Sequence, residues 1–291
     1  EYGVFTQSDK FVCGRTEQEI FDFLKMQYVP PEIREDTGEI EAALEHSLPR
    51  LVEVSDIKGD LHVHSNWSDG SNTIEEMARA GIDLGYEYIA ITDHSPSLKV
   101  AHGLSVQDLK KKRKEIDKLN EKLKPFRILY GTEADIDSEG GIDYPDAVLK
   151  EFDIVIAAVH SGFKQPARKI TQRILKACEN PYVKIIAHPT GRLRNVRDAY
   201  EFDFDAVCAK AKDTNTALEI NSFPDRMDLN DLLCRRAKAA GVRICINTDA
   251  HAIGHLKFIR FGLAMARRGW LTSADINNTD ALANILTGKE L

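Results

Sequence analysis

Residues 61–70 read LHVHSNWSDG. His62 and His64 stand two apart in an apolar run, and on a strand such residues point to the same face. The two imidazoles would project side by side. Similar groups close other apolar runs: Asp93 and His94 in YIAITDH, Glu133 in RILYGTEADI, His160 in FDIVIAAVH, His188 in VKIIAHP, and Asp249 with His251 in VRICINTDAH. Asp69 sits in SDG, which is also ordinary turn chemistry. Neutral imidazole and carboxylate are ligands for first-row divalent metals such as zinc, manganese and iron. The nine residues His62, His64, Asp69, His94, Glu133, His160, His188, Asp249 and His251 are too many for one ion, and they could supply three sites if Glu133 bridges two metals. Any one of them alone reads as a hydrogen-bonded core histidine or a capping aspartate. Their recurrence at the ends of six runs does not.

The elements that must carry them alternate. Strand patterns cover residues 57–64, 88–94, 127–136, 152–160, 183–189, 216–222 and 242–251, with helical patterns at 73–84, 105–122, 145–150, 168–178, 203–212 and 228–240. Seven βα units predict an α/β fold whose parallel sheet is closed or nearly closed into a barrel, with an open doubly wound sheet as the alternative. Parallel strands finish on one face, and in a β/α barrel that face carries the active site. Residues 1–55 differ: EYGVF and FVCG are short strand-like pieces, TEQEIFDFL opens with a capping box, and VPPEIRED contains an extended Pro-Pro element. This stretch is too short for a core of its own and reads as an arm or linker packing on the main body.

The formal net charge of −7 argues against a protein that coats nucleic acid, so any contact with DNA should be local. Five cysteines without a CxxC pair predict reduced thiols and a cytoplasmic protein. No apolar run is long enough for a membrane span. The start lacks both a basic leader and an apolar core, and it lacks Met, as a piece of a longer chain would. GxGxxG, Walker and GxSxG patterns are absent. HPTGR at 188–192 puts Arg192 just after a candidate ligand, where it could hold a phosphate oxygen. The LKKKRKE run at 109–115 reads as a solvated helix face.

Together DLHVHSNWSDG, AITDHS, GTEADI, AAVHSGF, AHPTGR, EINS and TDAH resemble the successive motifs of the PHP (polymerase and histidinol phosphatase) superfamily, in order over about residues 57–265. The resemblance implies a distorted seven-stranded (β/α)7 TIM-like barrel with a trinuclear centre. It assigns one metal to His62, His64, Glu133 and Asp249, a second to Glu133, His160 and His188, and a third to Asp69, His94 and His251. The flanks, with INSFPDRMDL and ARRGWL, are similar to the thumb end, linker and C-terminal domain of X-family DNA polymerases. That divides the chain into a thumb-like segment and linker at 1–55 and a phosphoesterase domain at 56–291, with a polymerase core attached upstream and no polymerase carboxylates here. The implied chemistry is attack on phosphorus by a metal-activated hydroxide, with Glu133, Asp249 and His251 catalytic and Asp249 or His251 moving a proton. Arg192 would orient the phosphate, helped by Lys99 and His102 on the loop after the second strand. The implied substrate is DNA, as a 3′–5′ exonuclease with abasic-site endonuclease or 3′-phosphatase activity in repair, supported by manganese. Histidinol-phosphate phosphatase, or a non-catalytic module beside a polymerase, are the competing readings.

Overall fold

The computed structural model describes residues 3–287, so Glu1 and Tyr2 of EYGVF lie outside the described residues. The chain divides into two compact units between Leu51 and Val52. The sequence boundary at 55/56 is four residues later. Val52 belongs with the second unit because its N–H donates to the Leu271 carbonyl (3.0 Å) and its own carbonyl accepts from Arg267 (3.0 Å).

In the first unit, β1 (Val4–Phe5) pairs antiparallel with β2 (Phe11–Cys13), followed by α1 (Glu17–Phe23) and α2 (Glu39–Leu44). Thr16 caps α1 by accepting from the Glu19 N–H, but the Glu19 carboxylate accepts from Gly14 and Arg15 rather than from Thr16. The expected box is therefore only half made. The Pro-Pro element is extended at Pro30 alone. Pro31 opens a 3₁₀ turn, Pro31–Ile33, since a first helical position needs no N–H.

The second unit holds seven strands: β3 (Gly59–Val63), β4 (Tyr88–Ile91), β5 (Arg127–Asp135), β6 (Ile154–Ala158), β7 (Val183–Ile186), β8 (Ala217–Asn221) and β9 (Ile244–Asn247). They are parallel and neighbour one another in chain order, in a sheet nearly closed into a barrel. Between and after them run α3 (Ile74–Asp83), α4 (Val106–Lys122), α5 (Asp146–Leu149), α6 (Ala167–Glu179), α7 (Phe204–Asp213), α8 (Asp231–Ala240), α9 (Ile259–Arg268) and α10 (Leu282–Thr287). Side-chain caps set the starts: Thr73 for α3, Ser105 for α4, Asp203 for α7 and Asn230 for α8. Asn230 is why the last of these starts at Asp231 and not at 228.

Period two sorts the strand side chains. Tyr88, Ala90, Leu129, Ile154, Ile156, Ala158, Ala217 and Cys245 form one apolar cluster with Ile285 of α10, and a larger cluster lies under the helices. Continuing the inner parity upward reaches His94 from Ala90, Glu133 from Leu129, His160 from Ala158, Glu219 from Ala217 and Asp249 from Cys245. The barrel interior is thus apolar at the end nearer the strand starts and polar at the other.

Helical periodicity corrects one expectation. Leu109, Lys112, Ile116 and Leu119 share the buried stripe of α4, so Lys112 is not on a solvated face. It is 0% exposed, and its Nζ donates to the carbonyls of Ile91 (2.9 Å) and Gly131 (3.1 Å) and lies 2.9 Å from Asp93 Oδ2.

The seam between β3 and β9 is held largely by side chains. One parallel bridge, Val63 to Ala250, closes its upper end. Below it the Leu61 N–H donates to Asn247 Oδ1 (3.1 Å), and Thr248 donates to the Asp60 carboxylate through both N–H (3.2 Å) and Oγ1 (2.5 Å). The fully buried Asn278 side chain spans both strands, donating to Gly59 O (2.8 Å) and Ile246 O (2.6 Å) and accepting from Ile246 N–H (3.0 Å). Asn278→Ala leaves three buried backbone groups unpaired, and we expect it to lower unfolding stability by about 2–4 kcal/mol. A denaturant titration giving a loss under about 1 kcal/mol would mean that the seam does not depend on this residue.

Candidate metal centre

All nine side chains singled out in the sequence meet at the carboxyl ends of the strands. Glu133 stands at the middle. Its Oε2 lies 3.4 Å from His62 Nε2, 3.5 Å from His64 Nε2 and 2.9 Å from His94 Nδ1. Its Oε1 faces the other way, 3.2 Å from His160 Nε2 and 2.9 Å from His188 Nε2. Asp249 Oδ1 is 3.4 Å from His62 Nε2 and 3.1 Å from His64 Nε2. Asp69 is 3.6 Å from His94 Nε2 and 3.4 Å from His251 Nε2. Ligand atoms gather in three overlapping groups: His62, His64 and Asp249; His64, Asp69, His94 and His251; and His94, Glu133 and His160. Beyond the three sets implied by resemblance, His64 also reaches the Asp69 group and His94 also reaches Glu133.

Three observations fit metal ions. Bonds of about 2.0–2.2 Å to a shared tetrahedral ion put donor atoms roughly 3.3–3.6 Å apart, close to the spacings found here. Nδ1 of His64 and His188 is buried without a hydrogen-bond partner, and His94 Nδ1 lies against Glu133 Oε2 at 2.9 Å. His62 Nε2 and His64 Nε2 oppose each other at 3.1 Å. His62 Nδ1 must donate to Glu219 Oε1 (2.8 Å), so in the neutral ring Nε2 carries a lone pair.

The protonation states divide the imidazoles, with His64 and His188 shifted down by burial and His62, His94, His160 and His251 shifted up, against burial, by the carboxylates they face. Burial, reinforced by the His251 and His94 charges, pushes His64 down to about 4. Burial and Arg226 push His188 to about 4 as well. Both are neutral imidazoles, the ligating form. Burial alone would raise Glu133 and Asp249, but the imidazoles around them hold both well below the usual carboxylate range. Burial depresses His62, while Glu219, Asp249 and Glu133 outweigh it and raise it well above its ordinary value.

Several partners went unassigned in the sequence. Glu219 accepts from His62 Nδ1, and Asp135 accepts from His160 Nδ1 at 3.2 Å, so each acid fixes a tautomer and aims Nε2 at the cluster. Both are inward acids on apolar strands, and that was the available signal. Asp93, paired with Lys112, accepts from Ser65 N–H (2.7 Å) and from the hydroxyls of Ser65 and Ser68, which ties down the segment leading to Asp69.

The expected phosphate ligands are placed differently. Arg192 spends Nε on the Arg226 carbonyl (3.0 Å) and a terminal nitrogen on the Met227 carbonyl, so it braces the turn after β8. The cation facing the cluster is Arg226, whose Nε is 3.3 Å from Asp249 Oδ2 and whose side chain is 19% exposed. Lys99 and His102 lie exposed at the 3₁₀ turn Lys99–Ala101, and neither side chain joins the cluster.

The PHP domain family matches residues 60–223, and the DNA polymerase beta thumb family matches residues 1–35. DNA polymerase/3′-5′ exonuclease PolX of Bacillus subtilis (strain 168) is 46% identical over 286 residues, which is 98% of this chain and 50% of that protein. The chain thus spans about half the length of that relative. A probable phosphatase of Thermoanaerobacter sp. (strain X514) is 33% identical over 233 residues, 76% of this chain and 90% of that one. The solved histidinol phosphate phosphatase of Lactococcus lactis subsp. lactis Il1403, complexed with zinc, L-histidinol and phosphate, has a TM-score of 0.53 at 20% identity, covering 72% of this chain and 93% of that chain, and shares the fold. With its motifs, barrel and family match in agreement, the chain belongs to the PHP domain family, here joined to a segment of the DNA polymerase beta thumb family.

Proposed function

We propose that the chain is a metal-dependent phosphoesterase that releases nucleotides from DNA 3′ ends. The observation that carries the reading is Glu133, whose two oxygens are shared between two sets of imidazoles, in a chain that begins with a thumb segment. The nine residues would hold up to three divalent ions, with zinc, manganese or iron all suited to the donor set. Bound ions supply Lewis acidity toward a phosphoryl oxygen and lower the pKa of water.

The chain's own groups bind and orient. Arg226 offers a charge-assisted contact to a phosphate oxygen, while Arg192 fixes the turn that presents it. His251 Nδ1 donates to the Asp249 carbonyl (2.8 Å), which leaves only a lone pair at Nε2 in the neutral ring. Both Asp249 oxygens are engaged, Oδ1 by imidazoles and Oδ2 by Asn221 (3.0 Å) and Arg226. Asp249 therefore has no acceptor atom spare and holds and orients, whereas the Nε2 lone pair of His251 is open to a metal ion or to a proton. Abasic-site cleavage and 3′-phosphate removal would draw on the same groups. The reading includes a cytoplasmic setting beside a polymerase core. Among the described residues no helix is long and apolar enough to cross a membrane, and no disulfide joins the cysteines.

The test compares kcat/KM on a 3′-labelled oligonucleotide with that on histidinol phosphate, in Mn²⁺. The oligonucleotide should win, and the reverse order would move the chain to small-molecule phosphatases. Because the chain is acidic, contact should involve two to four phosphates, with a log–log salt slope of about −2 to −3. A slope near about −8 would reveal an extended basic footprint and contradict local binding. Arg226→Gln should lower kcat/KM by roughly 10- to 100-fold, the worth of one charged hydrogen bond. A change within about twofold, far below that worth, would remove Arg226 from phosphate binding.

A further inference from the structure

Beside the centre lies an aromatic group that belongs to neither apolar cluster. Phe223 follows β8, and His255 and Phe258 lie in the 3₁₀ segment Ile253–Phe258 after β9. His255 and Phe258 are stacked, with centroids 5.2 Å apart and planes 16° from parallel. Phe223 meets them edge-on at 5.1 and 5.4 Å. All three are half-buried, so ring surface remains open to solvent.

Each side of the group is wired to the metal-ligand set. His255 Nδ1 accepts from the His251 N–H (3.2 Å). The Phe223 N–H donates to Asn221 Oδ1 (3.0 Å), and Asn221 Nδ2 donates to Asp249 Oδ2 (3.0 Å). Phe163, after β6, offers no such surface, because it packs on the core with Arg197 3.5 Å over its ring.

The surrounding charge suits a polyanion. Between Asp249 and Asp275 the chain has no acidic residue, and Lys257 and Arg260 flank Phe258, within a protein of net charge −7. Arg226 lies on the Phe223 side, at Asp249. Half-exposed aromatic rings next to cations are the chemistry by which proteins hold unpaired bases, since every base presents a π-face.

We propose that Phe223, His255 and Phe258 form a stacking subsite for the base of the 3′-terminal nucleotide of a single strand, placing its phosphate at the metal centre. The proposal rests on the DNA 3′-end reading and adds to it a requirement that the terminal base be unpaired. Single strands and frayed or mismatched ends are therefore preferred over paired ones, with little dependence on which base it is.

The experiment uses an oligonucleotide ending in a 3′ 2-aminopurine, with a phosphorothioate at the last linkage to slow release. Binding to the chain should quench its emission, and Phe258→Leu and Phe223→Leu should each weaken binding about tenfold relative to the same strand with an abasic 3′ end. Neither ring belongs to the core, so both variants should fold, and having two keeps the test intact if one fails. Pairing the terminal base to a complement should abolish the quench. Release of 3′ nucleotides without quenching, or equal affinity of wild type for base-bearing and abasic ends, overturns the subsite and leaves the exonuclease reading standing. Quenching that is lost in both variants, without any 3′ release, supports the subsite and defeats the exonuclease reading.

Discussion

Glu133→Ala is expected to abolish hydrolysis and to lower the metal content of the purified protein while leaving the barrel folded. Five imidazoles face this one carboxylate, three through Oε2 and two through Oε1. Its removal leaves two sets of donors with no shared anion between them. No neighbour can replace it, because Asp249 is already divided between imidazoles and Arg226, and Glu219 is committed to His62, Asn221 and Asn247. We expect kcat to fall at least 10³-fold, about 4 kcal/mol in the barrier. Retention of more than about a tenth of kcat, under about 1.4 kcal/mol, would falsify the shared role. Metal analysis and far-UV circular dichroism on the same sample separate loss of ions from loss of fold.

Lys112→Met should be the most damaging single change to stability. The ammonium is fully buried, and burial alone would push the Asp93 carboxyl up, but Lys112 outweighs it and holds Asp93 ionised. Deleting one member of such a pair strands the other, at about 3–5 kcal/mol. Two strand carbonyls, Ile91 and Gly131, lose their Nζ donor as well. The Lys112→Met, Asp93→Asn double variant should recover part of the loss, since its amide can still accept from Ser65 and no charge is left unpaired. Chemical unfolding of the three proteins decides the matter. A single variant within about 1 kcal/mol of wild type, or a double variant no better than the single, would show that the pair is not coupled in this way.

The seven strands and the ligands His94, Glu133, His160 and Asp249 were legible because barrel interiors alternate with period two, whereas His62, His64 and His188 stand out of phase with the inward Leu61 and Ala187 of their own strands. An acid or imidazole at the inner parity of an apolar run has only one place to go. Lys112 was misread for the opposite reason. Among Lys110, Lys111, Arg113 and Lys114 it looks like one more surface cation, and only the i, i+3, i+7 stripe with Leu109, Ile116 and Leu119 separates it from them. Arg192 and Arg226 could not be told apart from sequence. Both sit in loops after strands, and which guanidinium faces the cluster depends on which one the turn's carbonyls capture. The roles of Glu219 and Asp135 were similarly hidden, since an inward acid can hold a metal or hold the imidazole that does. The half-made box at Thr16 shows that a capping motif predicts its first hydrogen bond more safely than its second.

The side-chain seam has a topological meaning. The residues it joins are far apart in the chain, with 186 positions separating Leu61 from Asn247. The chain must therefore close a very long loop before any of these bonds can form, and this is the contact with the largest entropic penalty in the barrel. His62 and His64 lie on one lip of the seam, and Asp249 and His251 lie on the other. An ion gripped by both lips would act as a cross-link, performing for a chain with no disulfide among its described residues the service that a disulfide performs elsewhere. Its affinity for the closed ring would add to stability in proportion to the logarithm of free ion concentration. Chelation should accordingly lower the unfolding midpoint as well as stop turnover, and amide exchange should quicken first along β3 and β9.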